Sequence, residues 1–227
     1  MSVFADFLNS PEKLYSFIGA AAAVSIPLLV NTCKDFYFDF QKRKTERNYI
    51  VVQLIYLLDD FVFNCGEVSW DQGFDPNYPE PDDHEYEAQT KDPVFDMASV
   101  KGDHKYLEPM MLYKLQGINV EIAKSKERLR GITNEPSFDY DDAKYYFEQR
   151  RREFARIGLK VSHITDELRI NFKVPNRDEW NPRNAIIKSI NQMNHQRAVL
   201  AIKRMERNAK FVMAKHRKQT ENTSNDN

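Results

Sequence analysis

The chain has 227 residues, with 33 Lys and Arg against 34 Asp and Glu, and a mean hydropathy of −0.66. The near-neutral balance excludes a global charge that would steer the molecule to nucleic acid or to an acidic partner. Two cysteines exclude a disulfide-stapled domain and fit a reducing compartment, and seven glycines with few alternating Val/Ile/Thr runs leave little material for sheets, so an all-α fold is expected.

Residues 1–13 form a short N-terminal segment. The run that follows, 14–33, reads "LYSFIGAAAAVSIPLLVNTC" and carries no charge. At 1.5 Å per residue it spans about 30 Å, the thickness of a bilayer's hydrocarbon core, which predicts a single transmembrane helix in which Pro27 is tolerated. A cleaved signal fits poorly, because Asp6 and Glu12 outnumber Lys13 ahead of the run and the alanines lie in its middle. A lipid-modified Cys33 is disfavoured by Thr32 and Asn31 before it. Lys34, Lys42, Arg43, Lys44 and Arg47 follow the run, so the positive-inside rule puts the N-terminus outside and everything after residue 33 in the cytoplasm. The architecture fits a bacterial inner membrane. Gly19 and Ala23, with Ser16 and Ala20 beside them, make a small-residue surface where two membrane helices could approach closely.

Residues 34–65 hold a juxtamembrane stretch and a first bundle helix, on which Val51, Leu54, Leu58, Phe61 and Cys65 recur at helical spacing. The first helix can continue from the span, since residues 34–49 contain neither Pro nor Gly. Residues 66–104 are expected to be a long acidic, Pro-rich loop. Within 66–92 nine Asp or Glu face Lys91 alone, while Trp70, Phe74, Tyr78 and Tyr86 offer aromatic anchors that would dock part of the loop.

Residues 105–217 are expected to complete an antiparallel bundle of about four helices. Met111, Leu115, Ile118, Ile122 and Leu129 mark one helix, interrupted by Ser125. Ala143, Phe147, Arg150, Phe154, Ile157, Val161, Ile164 and Leu168 alternate by four and three along the next, predicted over 139–173, which begins near Pro136, Ser137 and Asp139 and is closed by Pro175. Asn181 and Pro182 open the last, predicted over 182–217, with a weaker seam of Ile187, Ile190, Asn194, Ala201, Met205 and Val212. Residues 218–227 read as a disordered tail.

Catalytic signatures are few. A Gly-rich phosphate loop, paired CxxC, GxSxG and HExxH are all missing, and no histidine has a Glu three residues before it as a di-iron bundle requires. Asp82, Asp83, His84, Glu85 and Glu87 could hold a divalent ion only loosely, and His163 with Glu167 reads as an exposed helical pair, so no metal and no cofactor are expected. Arg150 stands alone among apolar seam positions. Either it meets a carboxylate in a pocket, or its stem packs while the guanidinium reaches water, and the second account is the simpler.

The last helix is strongly basic, with Arg197, Lys203, Arg204, Arg207 and Lys210 at its centre. Contact with protein or a second copy ranks first for this surface, anionic lipid second and nucleic acid third. The sequence thus reads as a non-enzymatic, single-pass membrane protein with a cytoplasmic helical interaction or scaffold module that self-associates. A nucleic-acid or anionic-lipid binder using the basic helix is one rival. The other is a membrane-tethered enzyme whose pocket would gather Arg150, Asp59, Asp60 and His163.

Overall fold

A computed structural model describes residues 11–78, 86–134, 140–176 and 181–225, with side chains from residue 19 onward except at 20, 21, 140, 141 and beyond 210. Among these residues the chain is all-helical: α1 (Pro11–Trp70), α2 (Pro109–Thr133), α3 (Tyr140–Phe172) and α4 (Pro182–Asn225), with one-turn 3₁₀ helices at Met97–Ser99 and His104–Tyr106. No strand occurs among them.

The chain divides into two compact units. Met1–Ile50 with Gly102–Glu108 form one, and Val51–Lys101 with Pro109–Asn227 form the other. In the first unit the helix from residue 22 to 49 holds no buried residue. Val24, Ile26, Leu28, Leu29 and Val30 are each more than half exposed. The helix accommodates Pro27 without ending, and Thr32 returns its hydroxyl to the Leu28 carbonyl at 2.8 Å.

The second unit contains the main core. Within it α2 packs on α3, and α3 on α4. Every seam position expected on the first three helical segments is buried, including Val51, Leu54, Leu58, Phe61 and Cys65, and the whole α3 series from Ala143 to Leu168. Such spacing turns each of these side chains to one stripe of its helix. On α4 the buried face is Ile186, Ser189 and Met193, whereas Ile187 and Met205 are exposed. The expected seam was displaced by one residue because Ser189 belongs to it: its hydroxyl donates to the Ser69 carbonyl at 2.5 Å, so a polar residue occupies a core position. Gly158 sets the closest approach in this core. A Cβ there would lie 2.7 Å from the Cys65 Cβ and 2.6 Å from the Ile186 Cδ1.

Helix boundaries depart from expectation at two ends. α1 reaches Trp70 instead of residue 65, and α4 is helical to Asn225, through most of the stretch expected as a tail. α3 ends at Phe172 in a Schellman motif, with the Val174 N–H on the Arg169 carbonyl at 3.0 Å, the Lys173 N–H on the Ile170 carbonyl at 3.4 Å, and Lys173 at φ 55°. The helix-start residues Pro136, Ser137 and Asp139 lie outside the described residues.

The acidic loop is docked where it is described. Within it Gly73 and Glu87 meet through the Glu87 N–H on the Gly73 carbonyl at 2.8 Å. Phe95 is buried edge-to-face against Phe61, with ring centroids 6.0 Å apart. Further on, the Gln53 side chain both donates to and accepts from the backbone of Lys101, at 2.9 and 3.1 Å.

Candidate functional site

Three consecutive arginines on α3 organise the polar interior of the second unit. Successive helical side chains diverge by about 100°, so neighbours in sequence face different surroundings. Arg150 faces the loop, Arg151 faces the end of α1, and Arg152 faces Glu148 and Asn194.

Arg150 is only 2% exposed, so its guanidinium does not reach water as the simpler expectation held. It donates to the Asp71 carboxylate at 2.8 Å, to Asp92 at 3.0 Å and to the Thr90 carbonyl at 2.7 Å. The Asp71 side chain is fully buried. It also accepts the Gly73 N–H at 2.9 Å and both the N–H and the hydroxyl of Thr90, at 3.0 and 2.9 Å. Burial alone would raise the Asp71 pKa, but these donors, with Arg150 among them, hold it below the usual carboxylate range. The chemistry is a saturated buried ion pair that fastens Asp71, Thr90 and Asp92 to α3. Asp71 and Asp92 thus find their cation in Arg150 of α3, and Asp92 also lies 3.6 Å from Lys126 of α2.

Arg151 differs. It is 5% exposed, and its Nε donates at 2.9 Å to the Ser69 carbonyl, which also accepts from Ser189. This places a cation at the C-terminal end of α1, where the last carbonyls are free and the helix dipole is negative. Its Nη2 is buried without a hydrogen-bond partner. Burial lowers its pKa, and the neighbouring Glu148 charge opposes that fall. Glu148 itself is engaged by Arg152 at 3.1 Å and by Arg197 at 2.6 Å.

Arg151 lines a cavity of about 120 Å³ together with Lys144, Phe147, Tyr86, Phe74 and Arg197, among others. Tyr86 stacks on Phe147 with centroids 5.9 Å apart, and Phe74 meets Tyr86 edge-on at 6.0 Å. Gly73 makes this wall possible. At φ 84° it occupies the left-handed region, and a Cβ there would stand 2.5 Å from the Phe147 ring.

Two larger grooves flank α3. One of about 630 Å³ is polar, bordered by Asp59, Asp166, Arg169 and Arg183, but its carboxylates are matched: Arg169 donates to Asp59 at 2.5 Å and Arg183 to Asp166 at 3.1 Å. The other, about 590 Å³, is lined by Tyr113, Ile118, Val120, Ile164 and His163. Glu167, expected to pair with His163, is bonded by Lys114 at 2.6 Å. Asp59 borders the first groove, His163 the second, Arg150 lies in the loop contact and Asp60 is exposed beside Asn64. These four residues do not converge on one cavity.

The remaining sequence candidates lie on surfaces. Gly19 and Ala23 are exposed, a Cβ at Gly19 would meet nothing within 4 Å, and the side chains of Ser16 and Ala20 lie outside the described residues. Arg197, Lys203, Arg204, Arg207 and Lys210 are all exposed, Arg197 through a partial exposure that leaves its Nε on Glu148. Asp82, Asp83, His84 and Glu85 lie outside the described residues, among which no cluster able to hold a metal ion occurs. Sequence reasoning missed the partners of Arg150 and singled out nothing at Arg151, although the run of three arginines beside a seam position was the available signal.

The chain matches no protein-family model, no curated protein and no solved structure. Among the described residues the definable class is that of an all-helical protein with one helix long and apolar enough to cross a membrane.

Proposed function

We propose that this is a single-pass membrane protein, N-terminus outside, whose cytoplasmic residues form an antiparallel helical bundle acting as an interaction or scaffold module that self-associates. The observation that carries the reading is the exposure of Val24, Ile26, Leu28, Leu29 and Val30 on several sides of one helix. A helix that is apolar all round is unfavourable in water and at home in lipid. α1 has a second apolar stretch, from Ile50 onward, whose stripe is buried against protein, so it is the upstream stretch that supports a membrane anchor. Orientation rests on the five basic residues of 34–47 against Lys13 ahead of the run. The open face at Gly19 and Ala23 supports close approach of a second copy.

Cross-linking in native membranes followed by purification tests the interaction role. A cross-linked homo-oligomer or a partner near equal abundance is the expected result, and recovery of monomer alone would overturn it. Alkaline carbonate extraction and C-terminal reporter fusions test the anchor separately. Release into the supernatant or a periplasm-active fusion would refute the span or its direction.

A specific observation favours anionic lipid as a second contact. From Asn194 to Lys210 α4 holds no buried residue. At 100° per residue Lys203, Arg207 and Lys210 fall on one side, and Ala201 and Met205 on the other, the pattern of a helix lying on a membrane surface. Salt-sensitive co-sedimentation with anionic and not zwitterionic vesicles is expected. Equal retention by DNA or RNA at low salt would transfer the surface to nucleic acid.

A further inference from the structure

We propose that residues 34–47 of α1 seat in the headgroup layer of an anionic phospholipid bilayer, with Phe36, Tyr37, Phe38 and Phe40 as an interfacial collar and Lys42 and Lys44 on lipid phosphates; this placement rests on reading the upstream run as a membrane anchor. The stretch DFYFDF at 35–40 sets four aromatic rings within five positions. Phe36 is 75% exposed, and Tyr37, Phe38 and Phe40 are each 58% exposed. All four lie on one continuous helix. At about 100° per residue, Phe36 and Phe40 share one side, Tyr37 stands beside them and Phe38 falls nearly opposite Phe36. Rings spread over so much of the circumference cannot be covered by one neighbouring helix. Lipid, which surrounds a helix on every side, covers them all.

The order of side chains along the helix is the order of layers in a bilayer. The apolar run ends at residue 33, the rings follow, and Lys42, Arg43 and Lys44 come next. At 1.5 Å per residue the rings begin about 4.5 Å and end about 10 Å beyond residue 33, the depth of a polar layer about 5–8 Å thick on each side of the hydrocarbon. Aromatic side chains collect at this level, where an apolar body meets the acyl chains and a polar tip stays wet. The Tyr37 hydroxyl has such a tip: it accepts from the Gln41 side chain at 3.1 Å, on the side of the rings away from the apolar run.

Charge selects the lipid. Across 34–47 five Lys or Arg stand against Asp35, Asp39 and Glu46. Asp35 and Asp39 occupy the side that the rings leave open, where Asp39 meets Arg43 at 3.6 Å, and Lys34 lies over the Phe38 ring at 5.8 Å. Lys42 and Lys44 are exposed and enter no ion pair among the described residues, so they carry the contact. Their long stems bend back towards the phosphates, and the potential of an anionic surface reaches about 8 Å into the solution. A basic residue in that zone raises affinity for an anionic surface about fivefold.

Depth and lipid preference are tested separately on the full-length protein in vesicles of equimolar phosphatidylcholine and phosphatidylglycerol. Nitroxide labels at Leu29→Cys and Phe38→Cys, each in a Cys33→Ala background, report depth through collisions with oxygen and with a water-soluble nickel chelate. The label at 29 should meet oxygen alone, and the label at 38 should meet both reagents to an intermediate degree. A label at 29 open to the chelate would remove the anchor and the collar with it. A label at 38 as open to the chelate as one in free solution, or shielded from both reagents and broadened by a second copy, would overturn the collar while the anchor stands. Native mass spectrometry of lipids retained after detergent extraction should show phosphatidylglycerol favoured severalfold. Lys42→Gln with Lys44→Gln should lower that preference about fivefold or more, and Lys203→Gln with Arg207→Gln reports any share held by α4. Equal retention of the two lipids, or a preference unchanged by the Lys42 and Lys44 substitutions, would overturn the proposal.

Discussion

Replacing Arg150 by methionine keeps most of the aliphatic stem and removes the guanidinium that ties the loop to α3. Three hydrogen bonds vanish, to Asp71, Asp92 and the Thr90 carbonyl. Asp92 is partly exposed and rehydrates, whereas Asp71 stays fully buried with its charge. Breaking a buried pair by removing one partner costs about 3–5 kcal/mol. Asp71 retains three donors, from Gly73 and Thr90, so the lower end, about 3 kcal/mol, is expected. In a domain of this size that corresponds to a fall of roughly 6–12 °C in the melting temperature. Amide exchange should accelerate first over residues 86–92, since the Thr90 carbonyl and Asp92 lose their anchor. Arg150→Met combined with Asp71→Asn should cost less than the sum of the single changes, with a coupling on the order of 1–3 kcal/mol. A single variant melting within about 2 °C of the parent, or strict additivity of the pair, would refute the account of Arg150 as the anchor.

Three further outcomes are expected. Glu153 feels burial, which raises its pKa, but hydrogen bonds from Arg128, Ser125 and Arg156 prevail and hold it at about 2; because its folded value lies below its unfolded one, its contribution is present above about pH 4.5 and is lost as pH falls towards 2. That loss, discounted for partial solvation to on the order of 2 kcal/mol, should flatten in Glu153→Gln when melting is followed against pH. Gly158→Ala should destabilise by about 1–3 kcal/mol in denaturant titrations, despite alanine's better helix propensity, because its Cβ would collide with the Cys65 Cβ; a stabilised variant would show that the helices can part there. Cys65 is buried, and burial pushes its thiol pKa up. In a Cys33→Ala background, maleimide should therefore react only after unfolding, and rapid labelling of the native protein would contradict the packing around Cys65.

How far the sequence reached depended on the range of each contact. The α3 seam was legible because all eight of its positions obey one local spacing, and burial follows from that geometry alone. On α4 the same reasoning chose Ile187 and Ile190 over Ile186 and Ser189, because hydropathy disfavours a serine that the Ser69 carbonyl in fact satisfies. Arg150 could be singled out but not paired, since its carboxylates sit in a stretch whose composition reads as solvated loop. Arg151 was hidden by its neighbours: in a run of three arginines nothing local says which one is turned inward. Gly158 gave no signal either, because a helical glycine declares a close approach only when the opposing helix is known.

The pairing of Arg150 also has an order in time. Asp92 precedes it by 58 residues and Asp71 by 79. At a synthesis rate of about 5–20 residues per second, roughly 4–16 s separate the appearance of Asp71 from that of its cation. Throughout that interval Asp71 is without the guanidinium that pairs with it in the folded chain. A nascent chain stalled ahead of residue 150 lacks the contacts to Asp71, Thr90 and Asp92, and protease should cut it near these residues faster than it cuts the finished chain.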